Sequence, residues 1–317
     1  MLRPLIVIKR IPNIDFMGLH WLGFIFSGIL TAGSIILFLT QGLNYGIDFV
    51  GGTIIEARTH GPANLAAMRA ELDKLGLGDV QLQEFGAPDE VLIRLQRQAG
   101  SDKAQEAAVE KVKQQLGNSV EYRRTEVVGP TVGSELIRAG VIATVLALVA
   151  IMIYVWFRFE WQFGVGAMLS TLHDTITTVG LFALFRLEFN LTTLAAILTV
   201  AGYSINDTVV IYDRVRETMR KHRTMDFRAL INKSLNETLS RTILTVSTVA
   251  LAVLSLLLFG GEVLRGFSIA MLWGIVIGTY SSLFIAAPLL LYIRPKHSGS
   301  ARTARATSAA AEAEEVS

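Results

Sequence analysis

The sequence predicts an α-helical polytopic membrane protein of six transmembrane helices that carries one small α+β, ferredoxin-like domain. Three observations lead to this class. Hydrophobic residues make up 51% of the 317 and mean hydropathy is +0.47, outside the range of ordinary soluble domains. Six apolar runs reach about twenty residues, the length a helix needs to cross the hydrocarbon layer. After the first run the apolar signal stops, and strand-like and amphipathic patterns fill the interval 41–134.

Residues 1–18 carry Arg3, Lys9 and Arg10 ahead of the first span, 19–40, which orients that end to the cytoplasm. The apolar run Trp21 to Leu39 exceeds a signal-peptide core and no A-x-A-like site follows it, so it is expected to stay as a membrane helix. Next comes QGLNYGIDFVGGTIIEAR, whose Gly42, Gly46, Gly51 and Gly52 break helix and permit tight turns. Thr53 to Thr59 has strand character, and Pro62 to Leu75 reads as an amphipathic helix with Pro in its first turn. Val80 to Phe85 and Val91 to Arg97 read as strands. Ser101 to Leu116 is a helix with a Ser/Asp cap signal that closes at Gly117, and Val120 to Val128 is a last strand. The order β-α-β-β-α-β is ferredoxin-like. That arrangement carries no fixed activity.

The membrane resumes over 135–293. Spans two to six are expected at Leu136–Phe157, Phe163–Phe185, Leu191–Tyr212, Thr242–Phe259 and Phe267–Ile293, the last kinked at Pro288. The tail, 294–317, is small, polar and patternless, and is expected to be disordered in the cytoplasm. Arg158, the cluster Arg214, Arg216, Arg220, Lys221, Arg223, Arg228 and Lys233, and the pair Arg294 and Lys296 all fall on one side. Only Arg186 and Arg265 mark the short loops opposite. This bias puts both termini in the cytoplasm and the soluble domain in the periplasm. Trp21, Trp156 and Trp161 fall near the same cytoplasmic interface.

Several function classes are disfavoured. With no cysteine there is neither a disulfide nor a thiolate metal site. The five histidines form no HxxxH-like pair, so no metal and no cofactor are expected. An intramembrane aspartyl protease needs a Gly-x-Gly-Asp helix, and a serine hydrolase a G-x-S-x-G elbow; neither occurs, and no enzyme activity is expected. The basic loop is ordinary for a cytoplasmic face and implies no nucleic acid. Its amphipathic part, DFRALINKSLNETL, is expected to lie along the inner surface.

The informative residues are polar groups inside the spans. Asp207 sits about 8 Å inside the emergent end of span four, beside Asn206 and one turn from Tyr203. A carboxyl at that depth costs a few kcal/mol, so it marks a functional site unless it stays protonated against a neighbouring helix. Span three holds His173 and Asp174 near mid-membrane. His173 serves equally well as a satisfied helix contact, and Asp174 has Thr177 and Thr178 within local reach. Arg241 opens span five, with Thr245 and Thr248 on its face. Two internal acids and a basic residue point to a proton or ion path. Asp213 and Arg214 read as interfacial charges, and Gly274, Gly278 and Ser282 as a helix-packing stripe.

Eight segments carry a resemblance: IDFM at Ile14, LNYGIDFVGGT at Leu43, VGPTVGSELIRAG at Val128, and HD at His173. The others are AGYSINDTVVIYDRVRE at Ala201, SLNETLSRTILT at Ser234, FGGEVLRGFSIAML at Phe259 and GTYSSLFIAAPLLL at Gly278. In this order they resemble the SecF family, the smaller member of the bacterial SecD–SecF protein-export pair, within the resistance-nodulation-division superfamily. The resemblance implies an inner-membrane accessory of the Sec translocon channel that uses the proton motive force to help preproteins across, with SecD as heterodimer partner. It places the proton-relay acid at Asp207 and its basic partner at Arg241. The moving part would be the periplasmic domain, hinged at Gly46, Gly51 and Gly52. A proton-driven lipid or small-molecule efflux half-transporter is the alternative, disfavoured by the small soluble domain. A purely structural scaffold would tolerate a neutral residue at 207.

Overall fold

A computed structural model describes residues 13–294 except 79, 99–101 and 129, with backbone alone at 102, 128, 130–132, 262 and 263. Arg3, Lys9, Arg10, the cap signal at Ser101 and the tail beyond Arg294 lie outside the described residues. Among the described residues, six helices are long and apolar enough to cross a membrane. They are α1 (His20–Gln41), α5 (Pro130–Arg158), α6 (Trp161–Phe185), α7 (Leu191–Lys221), α8 (Phe227–Phe259) and α9 (Gly261–Ser281). Between α1 and α5 lie β1 (Asn44–Tyr45), α2 (Ile47–Val50), β2 (Gly52–Thr59), α3 (Leu65–Leu72), β3 (Val80–Phe85), β4 (Ala87–Leu95), α4 (Asp102–Leu116) and β5 (Val120–Val128). The two-residue β6 (Glu188–Phe189) joins α6 to α7.

Strands β2 to β5 form one antiparallel sheet in the order β3-β4-β2-β5, with α3 and α4 as the two crossovers of a β-α-β-β-α-β unit. The alternation expected of half-buried strands is present. Ile55, Ala57, Val91, Ile93 and Leu95 point to a core closed by Leu72 and Val112. The buried Thr53 hydroxyl accepts a 2.8 Å hydrogen bond from Gln105 of α4, which pins that helix to β2. Two element starts in this unit differ by three residues or more from the sequence reading. Helix α3 begins at Leu65, not at Pro62, because Asn64 caps it by accepting the Ala67 N–H at 3.1 Å. Strand β4 begins at Ala87, directly after a turn at Gly86 (φ +80°), so β3 and β4 form a tight hairpin.

Within the bundle, α6, α7 and α9 are central and α1, α5 and α8 peripheral. Of the apolar windows of α6, α7 and α9, 50%, 44% and 61% of residues are buried, against 17%, 6% and 11% for the outer three. The tightest seam joins α7 to α9. Gly274 backs onto Val200 and Gly278 onto Ser204, Thr208 shares a 2.7 Å hydrogen bond with Ser282, and Tyr212 donates to the Ala286 carbonyl at 3.1 Å. Partners recur every four residues on both helices at one constant offset, which makes the two helices parallel. The small-residue stripe thus meets α7, as close backbone packing in a membrane requires. Gly180 makes the corresponding approach to Ser34 of α1.

The last span does not kink at Pro288 alone. A π-helical turn, Ser282–Ala286, precedes a short α10 (Ala287–Leu289) that has Pro in its first turn. The wider turn absorbs the register change that proline would otherwise force. The amphipathic segment before span five also lies elsewhere than expected. It is not a separate helix on a membrane surface but the first half of α8, continuous from Phe227 to Phe259. Its Leu230, Ile231 and Leu235 are fully buried against Met17, Ile211 and Val215. The apolar face therefore has a protein partner. Asn236 holds the incoming chain by accepting from Ile14 N–H at 2.9 Å and donating to Ile14 C=O at 2.8 Å.

Candidate functional site

Helix α7 is the axis of the polar interior, because successive turns present different faces to α6, α8 and α9. Ser204 and Asp207, three residues apart, both lie buried but look to different neighbours.

Towards α6 and α9, Asp174 is fully buried and both carboxylate oxygens are occupied. Oδ2 accepts from Ser204 at 2.5 Å and from Ser281 at 2.8 Å, and Oδ1 lies 3.0 Å from His173 Nδ1. Ser170 donates in turn to Ser281 at 2.8 Å. One carboxyl thereby ties three helices together, as buried polar groups demand. Thr177 and Thr178 do not satisfy this carboxyl; their hydroxyls donate to the Asp174 backbone carbonyl, at 3.1 and 2.7 Å. His173 is also buried, and its Nε2 has no hydrogen-bond partner.

Towards α8, Asp207 is 7% exposed and only half satisfied. Oδ1 accepts from the Thr242 hydroxyl at 3.1 Å, while Oδ2 is buried without a hydrogen-bond partner. An exposed 2.9 Å ion pair joins Arg158 to Asp213, six residues from Asp207 and so about 9 Å away along α7. Arg214 is half-buried and bonds Glu237 and Glu217, each at 2.6 Å.

The structure brings Asp207 into contact with Thr242, whereas Arg241 is a nearby charge that does not touch it. Arg241 is exposed, and among the described residues no ion pair or hydrogen bond joins it to Asp207. Arg241 does not start its helix either, since α8 begins at Phe227. Because Thr242 touches Asp207, Arg241 stands level with the acid instead of a turn below it. Thr245 and Thr248 are exposed and bond carbonyls of their own helix, so Thr242 is the threonine that faces the acid. Tyr203 is half-buried and Asn206 exposed. Sequence reasoning missed Thr242, Ser204 and Ser281. Their signal was the four-residue spacing of Ser204 to Thr208 and of Gly274 through Ser282, which phases both helices.

The glycines before β2 occupy close approaches. A Cβ on Gly46 would lie 2.6 Å from Glu188 Oε1, and one on Gly52 2.7 Å from the Leu95 carbonyl. Gly51 and Gly52 have φ of +74° and +137°, which disfavours any side chain at either position.

Two family models match the chain: "Protein export membrane protein SecD/SecF, C-terminal" over residues 108–296, and "SecD/SecF GG Motif" over 36–63. The protein translocase subunit SecF of Rickettsia rickettsii is 46% identical over 291 residues, covering 90% of this chain and 94% of that protein. The subunit of the same name from Cereibacter sphaeroides is 44% identical over 303 residues, at 93% and 94% coverage. Among solved structures, SecDF from Thermus thermophilus, described as a translocon-associated membrane protein, superposes with a TM-score of 0.81 at 33% identity, and 93% of this chain is covered. A SecDF structure in a super-membrane-facing form gives 0.69 at 34% identity. The chain spans only 40% and 41% of those two SecDF polypeptides. Matched over more than half its length by the family model and over nine-tenths of it by curated subunits, this multi-pass membrane chain belongs to the SecF family of protein translocase subunits.

Proposed function

We propose that the chain is the SecF partner of a SecD subunit, and that the pair uses the proton motive force to assist preproteins leaving the Sec translocon channel of the bacterial inner membrane. It works by moving protons and helices, without covalent chemistry or a cofactor. The basic α7–α8 end faces the cytoplasm together with both termini, and the β-α-β-β-α-β unit faces the periplasm.

One observation carries this reading. Asp207, buried in a span, keeps one carboxylate oxygen without a partner, whereas Asp174 is saturated. Asp207 is therefore the acid able to exchange a proton. When ionised it needs a cation, and Arg241, level with it on α8, has a stem long enough to swing across. When protonated it needs none, and the arginine is released. A proton falling through 100 mV yields about 2.3 kcal/mol, enough to shift a two-state equilibrium roughly fifty-fold. The soluble unit would pivot at Gly51 and Gly52 in response.

A partner is supported by what the bundle leaves uncovered. The side chains of Asn206 and Arg241 are exposed on the bundle, and neither makes a hydrogen bond or ion pair to another described residue. Acyl chains offer such groups nothing, and a facing helix does. The translocase names of the relatives set this reading above an efflux half-transporter. The test is preprotein translocation into vesicles holding the pair, with and without an uncoupler. Asp207→Asn should fold and pair but lose the stimulation that the gradient gives. A variant that still responds to the gradient as wild type does would remove the relay from Asp207.

A further inference from the structure

The soluble unit and the bundle meet at a contact that the family reading leaves unassigned. Strand β1 pairs in parallel with β6, Asn44 opposite Glu188 and Tyr45 opposite Phe189, and Gly46 N–H donates to the Phe189 carbonyl at 2.8 Å. The next element, α2, presents Asp48, whose Oδ2 accepts the Leu191 N–H at 2.9 Å. Leu191 is the first residue of α7, the helix that carries Asp207. A carboxylate there satisfies an otherwise orphaned donor and complements the helix dipole. Phe49 stacks on Phe189 with ring centroids 5.9 Å apart, which seals the same joint with apolar surface.

At Gly52 the chain enters the sheet opposite Val128, and a second tie crosses back. Arg94 of β4 forms an ion pair with Glu188 of β6, both side chains about three-quarters buried. Glu188 lies against Gly46, where any side chain would displace it. The connection to α1 is of a different kind. Gly42 follows α1 with φ +64°, and nothing approaches the place a Cβ would occupy. Covalent continuity runs to α1 and, from β5, to α5, on which α2 also packs with Gly133 against the Phe49 carbonyl; the side-chain ties from Asp48 and Arg94 run to the start of α7 and to the strand just before it.

We propose that Asp48 and the Arg94–Glu188 pair couple the soluble unit to the N-terminal end of α7, so that a shift of α7 along its axis carries the soluble unit with it. This rests on the proton-driven reading above and names its output side. Asp48 grips α7 on the membrane side of the Gly51–Gly52 pivot, and Arg94 spans the pivot. Together they convert a helix displacement into a rotation of the sheet.

The test uses the full chain with its SecD partner in proteoliposomes. Three readouts are taken: hydrogen exchange of the peptide that starts at Leu191, proton flux across the vesicle, and gradient-stimulated preprotein export. Asp48→Ala should speed exchange at the start of α7 and leave α6 unchanged. Asp48→Ala and Arg94→Glu should both retain proton flux and lose gradient-stimulated export. The charge swap Arg94→Glu with Glu188→Arg should restore export, which a merely misfolded domain would not do. Unchanged exchange in Asp48→Ala, wild-type export in either single variant, or a charge swap that stays inactive each overturns the coupling. Absence of flux in the wild-type pair strikes the proton-driven reading instead, and the exchange measurement still decides whether Asp48 holds α7.

Discussion

Asp174 and Asp207 are both carboxyls within apolar helices, and they differ in how many donors reach them. Asp174 receives Ser204 and Ser281 and faces His173, so its position is fixed by three helices at once. Asp207 has Thr242 alone. Truncating the first should therefore cost stability and truncating the second should cost function. Asp174→Ala leaves the buried Ser204 hydroxyl without an acceptor, at about 1–3 kcal/mol, and removes the tie from Ser281, which keeps only the Gly278 carbonyl of its own helix. Its steady-state amount in membranes should fall well below wild type, while Asp207→Ala should accumulate normally. Immunoblotting of membrane fractions reads both, and equal amounts would contradict this division of roles. The sequence made both acids visible, since a charge inside an apolar run stands out. It did not show which was saturated, because serine and threonine are common in such helices and only the helix phase reveals that Ser204, Ser281 and Thr242 point inward.

At the scale of elements, the α7–α9 seam depends on the absence of side chains. Gly274 faces the Val200 side chain so closely that any Cβ would overlap it. Gly164 of α6, by contrast, has nothing within 4 Å of the place a Cβ would occupy. Gly274→Leu should part α7 from α9, at a cost of about 1–3 kcal/mol or more, whereas Gly164→Leu should be tolerated. Thermal stability in detergent compares the two variants, and an equally stable Gly274→Leu would break the account of the seam. Periodicity located this stripe and most of the soluble unit's strands. It misplaced the start of α3, where Asn64 supplies a better cap than Pro62. It also divided α8 in two. Hydropathy drops at the charged residues 226–241, yet the backbone continues, because Phe16, Met17 and the end of α7 bury that segment's apolar face. A pattern read along one helix cannot register a partner more than two hundred residues away.

For the whole molecule, the bundle has a finished interior and an unfinished side. Helices α6, α7 and α9 bury one another, while the outward faces of α7 and α8 carry Asn206, Arg241 and Gly202 with no cover. Gly202 has open space where a Cβ would stand. If a SecD helix packs there, Gly202→Leu should leave the chain folded and membrane-inserted yet unable to co-purify with SecD. Retained co-purification would move the interface elsewhere. The fold class and the presence of a buried acid at Asp207 were legible in the chain. The position of Arg241 was not, because its expected contact with Asp207 requires either a movement of α8 or the partner that completes the bundle.

The claim on which the account turns is that Asp207 carries the proton. Proteoliposomes containing the SecD pair and a trapped pH indicator measure this without preprotein or translocon. An imposed potential should drive proton entry in wild type. In Asp207→Asn that entry should fall to the rate of protein-free vesicles, while Asp213→Asn, at the exposed Arg158 pair, should stay near wild type. Wild-type flux through Asp207→Asn would contradict the account at its centre.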